Sequence, residues 1–189
     1  MDNHESDKAV FGFWVYLMTD CVLFASLFAT YAVLHASTFG GPTSHQLFDL
    51  RSVLLETMLL LTSSFTCGLA MLSMQAGRRG DLLGWLLVTL LLGLSFLGME
   101  LSEFSRLIQD GNGPDRSAFL SSFFTLVATH GLHILAGSLT LIALMVRLVR
   151  HGLSAPTIRR LTSFSLFWHF LDIVWIFIFS IVYLMGSLS

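Results

Sequence analysis

His130 and His133 stand three residues apart in the run TLVATHGLHILAG, and His169 and Asp172 repeat that spacing in FSLFWHFLDIVWIFIF. Residues three apart share one face of a helix. Asp20, Glu56, Glu100 and Glu103 add carboxylates inside three further apolar stretches. Side chains of these types can ligate zinc, iron or copper or hold a haem between facing helices. They can also pass protons inside a membrane or join helices by hydrogen bonds. Spacing narrows the choice. HGLH lacks the H-E-x-x-H pattern of a zinc protease, and Glu100 and Glu103 lack the histidine offset of paired Glu-x-x-His di-iron bundles. Carboxylates beside the imidazoles fit poorly with haem held by two histidines. No Ser/His/Asp or Cys/His arrangement stands out for nucleophilic catalysis. Cys21 and Cys67 lie in apolar runs without a C-x-x-C neighbour and read as packing residues. An interhelical network, and a proton-relay role for Asp20, Glu100 or Asp172, stay open.

The elements that must position these residues are membrane helices. The 189 residues are 54% hydrophobic and 12% charged, with a mean hydropathy of +0.77. A soluble domain is nearer a quarter charged, so the composition is that of an integral membrane protein. A net charge of −2 points away from nucleic acid. The acidic start MDNHESDKAV has no basic n-region, so the first apolar segment is expected to stay as an anchor. Five segments, roughly 11–35, 52–74, 82–106, 118–147 and 161–186, are each long enough to span. The expected fold is therefore all-α, a single membrane domain over 1–189 with five transmembrane helices. Short connections predict antiparallel neighbours for consecutive helices. Asp49 and Asp115 are expected to cap the second and fourth helices. Lys8, Arg78, Arg79, Arg147, Arg150, Arg159 and Arg160 fall on one side, and Arg51, Arg106 and Arg116 on the other. The positive-inside bias then predicts N-in/C-out. Arg147, Arg150, Arg159 and Arg160 could also contact an anionic lipid headgroup.

Each helix carries an ionisable residue on one polar stripe. The first has Asp20 with Tyr16, Phe24 and Tyr31, and opposite them Ala25, Ala29 and Ala32, small enough for close helix contact. Ser52, Glu56, Ser63 and Cys67 line the second, and Thr89, Gly93, Glu100 and Glu103 the third. His130, His133, Gly137 and Thr140 line the fourth. On the fifth, Thr162, Ser165, His169, Asp172, Ser180 and Tyr183 share one face. Phe164, Trp168, Leu171, Trp175, Ile178 and Val182 cover the rest. Charged groups are expensive at bilayer depth, so that polar face is expected to look inward, with His130 or His133 partnering His169 and Asp172.

Longer stretches resemble a known family. HGLHILAG followed by a short basic loop and FWHFLDIVWIFIF, with FGFWVYLMTDCVLFASLFATYAVL, LLETMLLLTSS, GMELSEF and GPDRSAFLSSFF, resembles subunit III of the haem–copper terminal oxidases over nearly the whole chain. It is most similar to the five-helix form found in cytochrome o ubiquinol oxidases of bacterial inner membranes; larger forms carry two more N-terminal helices. The resemblance implies a non-catalytic subunit with no cofactor of its own. It would pack against subunit I, which holds the haems and copper, with subunits II and IV nearby and phospholipid bound. It implies support of assembly, proton uptake and durability of the oxygen-reducing site. The family's intramembrane acidic residue falls on Asp20, where glutamate is usual. Its HGLH and WHF-x-D motifs fall on His130, His133, His169 and Asp172, and its Ser-Glu pair on Ser102 and Glu103. An accessory subunit of a cytochrome c oxidase or nitric oxide reductase is the alternative in kind. A small proton-coupled transporter is the alternative in class, and would show discontinuous helices and internal repeats.

Overall fold

The computed structural model describes residues 2–34, 50–111 and 113–184. Five helices follow one another: α1 Asp2–Leu34, α2 Leu50–Gln75, α3 Arg79–Gln109, α4 Ala118–His151 and α5 Ala155–Ile178. A π-helical segment, Phe179–Leu184, continues α5. All five are long and apolar enough to cross a membrane, the first from Val10 onward. The ends follow local chemistry. Ser117, not Asp115, caps α4, and its hydroxyl accepts from the Leu120 N–H at 3.2 Å. Ser117 has the extended backbone a cap requires and adjoins the first turn. Asp49 lies outside the described residues. Pro156 sits in the first turn of α5, where its missing N–H leaves no gap in the helix. Gly152 ends α4 at φ 64°, a left-handed turn that suits glycine.

Helices α2, α3, α4 and α5 pack in a ring, each against the next and α5 back against α2. Helix α1 lies outside that ring against α4 and α5. Its expected partner, α2, is not the helix it packs on. The segment 35–49 can reach roughly 50 Å when extended, so it does not force α1 beside α2.

The rotation of α5 differs from the sequence expectation. The buried face is Phe164, Trp168, Leu171, Trp175, Ile178 and Val182, whereas His169 and Asp172 are only half-buried and Thr162 is exposed. The cause is a slot in the facing helices. A Cβ on Gly93 of α3, or on Gly137 of α4, would stand 2.9 Å from the Trp168 ring. The indole fills the space those two glycines leave. Its Nε1–H donates to Ser63 Oγ of α2 at 3.1 Å, and Ser63 donates onward to the Thr89 carbonyl of α3 at 3.0 Å. Two turns further, Trp175 Nε1–H donates to Thr57 Oγ1 at 3.1 Å. Lipid tails are as apolar as leucine, so helix association rests on close packing and hydrogen bonds. An unpaired N–H in hydrocarbon costs several kcal/mol. A bulky ring that both fits a slot and satisfies its donor therefore outweighs the wish of two partly solvated polar residues to point inward.

Gly137→Ala or Gly93→Ala should push the Trp168 ring out of its seat and destabilise the bundle by about 1–3 kcal/mol, the usual range for overpacking. Gly98→Ala, where an added Cβ meets nothing within 4 Å, should be near neutral. SDS unfolding in mixed micelles, followed by tryptophan fluorescence, compares the three; equal losses at all of them would refute the slot.

Candidate functional site

The seven residues between His130 and Gly137 are two helical turns, so the rotation that turns Gly137 to Trp168 also turns His130 inward. His133 is then displaced toward α1. It meets Asp20 there, with His133 Nε2 3.5 Å from Asp20 Oδ1. Both side chains are largely sheltered, at 17% and 8% exposure. On its other side the His133 ring is 2.7 Å from the Thr129 carbonyl through Nδ1. A carbonyl only accepts, so Nδ1 carries a proton. Nε2 is the ring nitrogen left to face the Asp20 carboxyl. The Phe24 ring, 5.2 Å from the His133 ring, screens the pair. Tyr16 stands beside Asp20, one turn earlier, with its ring 6.1 Å from Phe167. Tyr16 is nevertheless exposed, while Asp20, Phe24 and Tyr31 on its stripe are buried. Ala25, Ala29 and Ala32, expected at a close helix contact, are exposed.

His130 is fully buried, and neither ring nitrogen has a hydrogen-bond partner among the described residues. Aromatic rings surround it: Trp175 at 5.2 Å, Phe96 at 5.9 Å and Phe24 at 6.3 Å. Next to it on α4, Gly131 lies against the Glu100 carboxyl, which a Cβ would approach to 3.9 Å. Glu100 in turn is within electrostatic reach of Glu56 and Glu103. Both Glu100 oxygens and Glu56 Oε2 are buried without a hydrogen-bond partner among the described residues. Tyr183 closes the group, facing the same three carboxyls, with its ring 5.9 Å from Phe123. On a regular helix Tyr183, eleven residues after Asp172, would return to the Asp172 side. The wider i→i+5 turn of the π-helical segment carries it inward instead. The stripes expected on α2, α3 and α4 thus do meet: Glu56, Ser63, Cys67, Thr89, Gly93, Glu100, His130 and Gly137 are all buried, with Glu103 partly so.

His169 and Asp172 are not brought to His130 or His133. His169 Nδ1 lies 2.6 Å from Ser64 Oγ of α2, and Ser64 also approaches Asp172. Ser64 was not singled out by the sequence. The adjacent Ser63 and Ser64 on α2 were the available signal, since one hydroxyl serves Trp168 and the other His169. Among the described residues no three His, Cys, Asp or Glu side chains converge as a metal-ligand set.

A groove of about 1200 Å³ runs between α1, α4 and α5. Phe13, Trp14, Tyr16 and Phe167 give it aromatic walls, and Arg147, Arg159 and Arg160 stand along its length. Arg147 Nε is buried without a hydrogen-bond partner among the described residues. Arg150 is exposed in the last turn of α4 and does not line the groove.

Replacing both Asp20 and His133 by alanine should show an interaction energy of about 0.5–1.7 kcal/mol in a double-mutant cycle, the range for hydrogen bonds between membrane helices. A cycle in SDS unfolding that closes to zero would mean that the two side chains do not stabilise each other.

Comparison with known proteins agrees with these features. A family model described as cytochrome c oxidase subunit III matches residues 5–187. Cytochrome bo(3) ubiquinol oxidase subunit 3 of Pseudomonas aeruginosa is 59% identical over 98% of this chain and 89% of its own. Quinol oxidase subunit 3 of Bacillus subtilis is 44% identical over 94% and 87%. Cytochrome c oxidase subunit 3 of Bacillus sp. (strain PS3) is 44% identical over 98% and 89%. With five membrane-length helices and matches of this extent, the chain belongs to the subunit III family of the haem–copper terminal oxidases.

Proposed function

We propose that this chain is the non-catalytic subunit III of a bacterial ubiquinol oxidase. It sits in the inner membrane and packs against subunit I, which holds the haems and copper, with subunits II and IV completing the complex. The observation that carries the reading is the 59% identity to a ubiquinol oxidase subunit across 98% of the chain, against 44% for a cytochrome c oxidase relative. The geometry supports a supporting role. Ionisable residues gather inside the bundle, His133 against Asp20 and Glu100 near Glu56 and Glu103, and among the described residues they do not converge as a ligand set. Helices α2, α3 and α4 run unbroken through their spans, unlike the discontinuous helices of transporters. The chain itself is read as free of haem and metal. The groove beside Arg147, Arg159 and Arg160 is read as the seat of an anionic phospholipid, with basic heads at the surface and apolar walls for the acyl chains.

Affinity purification of the tagged chain in mild detergent should bring down a haem- and copper-containing partner whose oxygen consumption is driven by ubiquinol. Turnover driven by reduced cytochrome c instead would move the chain to the other oxidase class. Recovery without any haem protein would end the oxidase reading. Within that complex Asp20 is assigned a modulating role. Asp20→Asn keeps most of the local hydrogen bonding, so initial oxygen consumption at matched haem content should persist, with slower proton uptake or a shorter working life. A fall of about a hundredfold, near 2.7 kcal/mol of barrier, with assembly intact would place Asp20 on an obligatory proton path instead.

The orientation is N-in/C-out. Arg79 of the α2–α3 end lies against Gly152 of the α4–α5 connection, so the two basic loops share one end of the bundle. Alkaline phosphatase fused to the C-terminus should be active; inactivity there with a fluorescent C-terminal cytoplasmic reporter would reverse the orientation.

A further inference from the structure

Glu56 and Glu100 stand inside the membrane-length helices α2 and α3, at 2% and 4% exposure. Both Glu100 oxygens, and Glu56 Oε2, have no hydrogen-bond partner among the described residues. Glu100 is within electrostatic reach of Glu56 and Glu103, and Glu56 within reach of Glu103, so three carboxyls share one region. Helices α1 and α4 and the π-helical segment close on it. Helix α4 presents Gly131, where a Cβ would come within 3.9 Å of Glu100 Oε2. Beside Gly131, His130 is 0% exposed, and neither of its ring nitrogens has a partner among the described residues. The π-helical segment turns Tyr183 to face all three carboxyls, and Tyr31 of α1 is within reach of Tyr183. Single π turns inside helices are rare and are found frequently at functional sites. The basic side chains at that end of the bundle, Arg51, Arg106 and Arg116, are exposed.

The region is rich in acceptors and poor in donors. An ionised carboxyl only accepts, whereas a protonated one has an O–H to give and an oxygen left to accept. Tyr183 has one O–H to set against three carboxyls. Ionised, Glu56 and Glu100 would place like charges side by side in a dry interior, a state that burial penalises. Neutral, each supplies a donor that its surroundings lack. We infer that Glu56 and Glu100 form a proton-binding site inside this chain, each held as a carboxylic acid, with Glu103 as the group through which they exchange protons with the surface. Glu103 suits that part, being one turn from Glu100, within electrostatic reach of Glu56 and only partly buried. A proton leaves the Glu100 acid for the Glu103 carboxylate, and Glu103 gives it to water at the end of the bundle. The reverse sequence refills the site, and no other reactant is needed. The site is distinct from the contact of Asp20 with His133, which joins α1 to α4. It is built from this chain's own residues and stands whichever electron donor the complex uses.

Infrared spectra of the intact oxidase complex in its membrane test the inference. Glu56→Gln and Glu100→Gln keep the size of the side chain and put an amide N–H where the acid has its O–H, so either variant should assemble. Each should remove one carboxylic-acid C=O band, and the double variant two. Loss of carboxylate bands instead, with the acid region unchanged, would overturn the inference. In heavy water the same acid bands should shift as their protons exchange. Glu103→Gln alters a partly exposed residue and should assemble even where a buried substitution does not. It should slow that shift by about tenfold or more, because an amide does not relay the proton as a carboxyl does. Acid bands that exchange as fast in Glu103→Gln as in the unaltered complex would refute the site.

Discussion

The seating of one indole holds the arrangement together. Trp168 can enter the bundle only because Gly93 and Gly137 both lack a Cβ at the points where the ring passes. It can stay there only because Ser63 accepts its N–H and passes a hydrogen bond on to Thr89. Four helices meet in that contact: α5 supplies the ring, α3 and α4 the slot, and α2 the acceptor. In a bilayer no hydrophobic push drives helices together, so this kind of fit carries more of the stability than it would in water. Once Trp168 points inward the rest of α5 has no rotational freedom. Trp175 follows to Thr57, and His169 and Asp172 are carried to the α2 edge.

The same contact fixes α4. Gly137 must face Trp168, and His130, two turns away, faces inward with it. His133 is rotated away from His130 far enough to leave the ring of four helices and reach Asp20 on the outer helix. The HGLH motif therefore does not act as a pair of ligands on one target. One imidazole is enclosed by aromatic rings inside the bundle, and the other joins α1 to it. Aromatic contacts also hold helix α1: Phe24 with His130 and His133, Phe28 with Phe177, Tyr31 with Phe119.

The number of helices, their spans and the inward stripes of α2, α3 and α4 were legible in the sequence, because length and periodicity report them directly. Gly93 and Gly137 were on those stripes too. What fills the gap they leave was not legible. A rule that turns polar faces inward assigned α5 by its histidine and aspartate, and took its tryptophans for outer surface. The rule fails because tryptophan is polar at one atom and large everywhere else, so it satisfies a slot and a hydroxyl at once. The place of α1 was hidden for a different reason: a connection as long as 35–49 does not dictate its neighbour. Tyr183 is buried as expected, but it parts from the face of Asp172 through the π-helical turn, which shifts phase without any proline or glycine to announce it.

Among the described residues several buried polar atoms lack full partners, and two of the clusters they belong to differ in their surroundings. A half-satisfied polar network is less stable than an apolar core of the same shape, so neither group is explained by the stability of the fold alone. Glu56, Glu100 and His130 are 0–4% exposed, and aromatic rings or other carboxyls close every approach. His169 and Asp172 are open on one side, next to a glycine with empty space before it. The Asp172 oxygen without a partner, Oδ1, is nevertheless itself shielded. The interior cluster is therefore enclosed by this chain's own helices, whereas the edge cluster lies at the margin between α2 and α5.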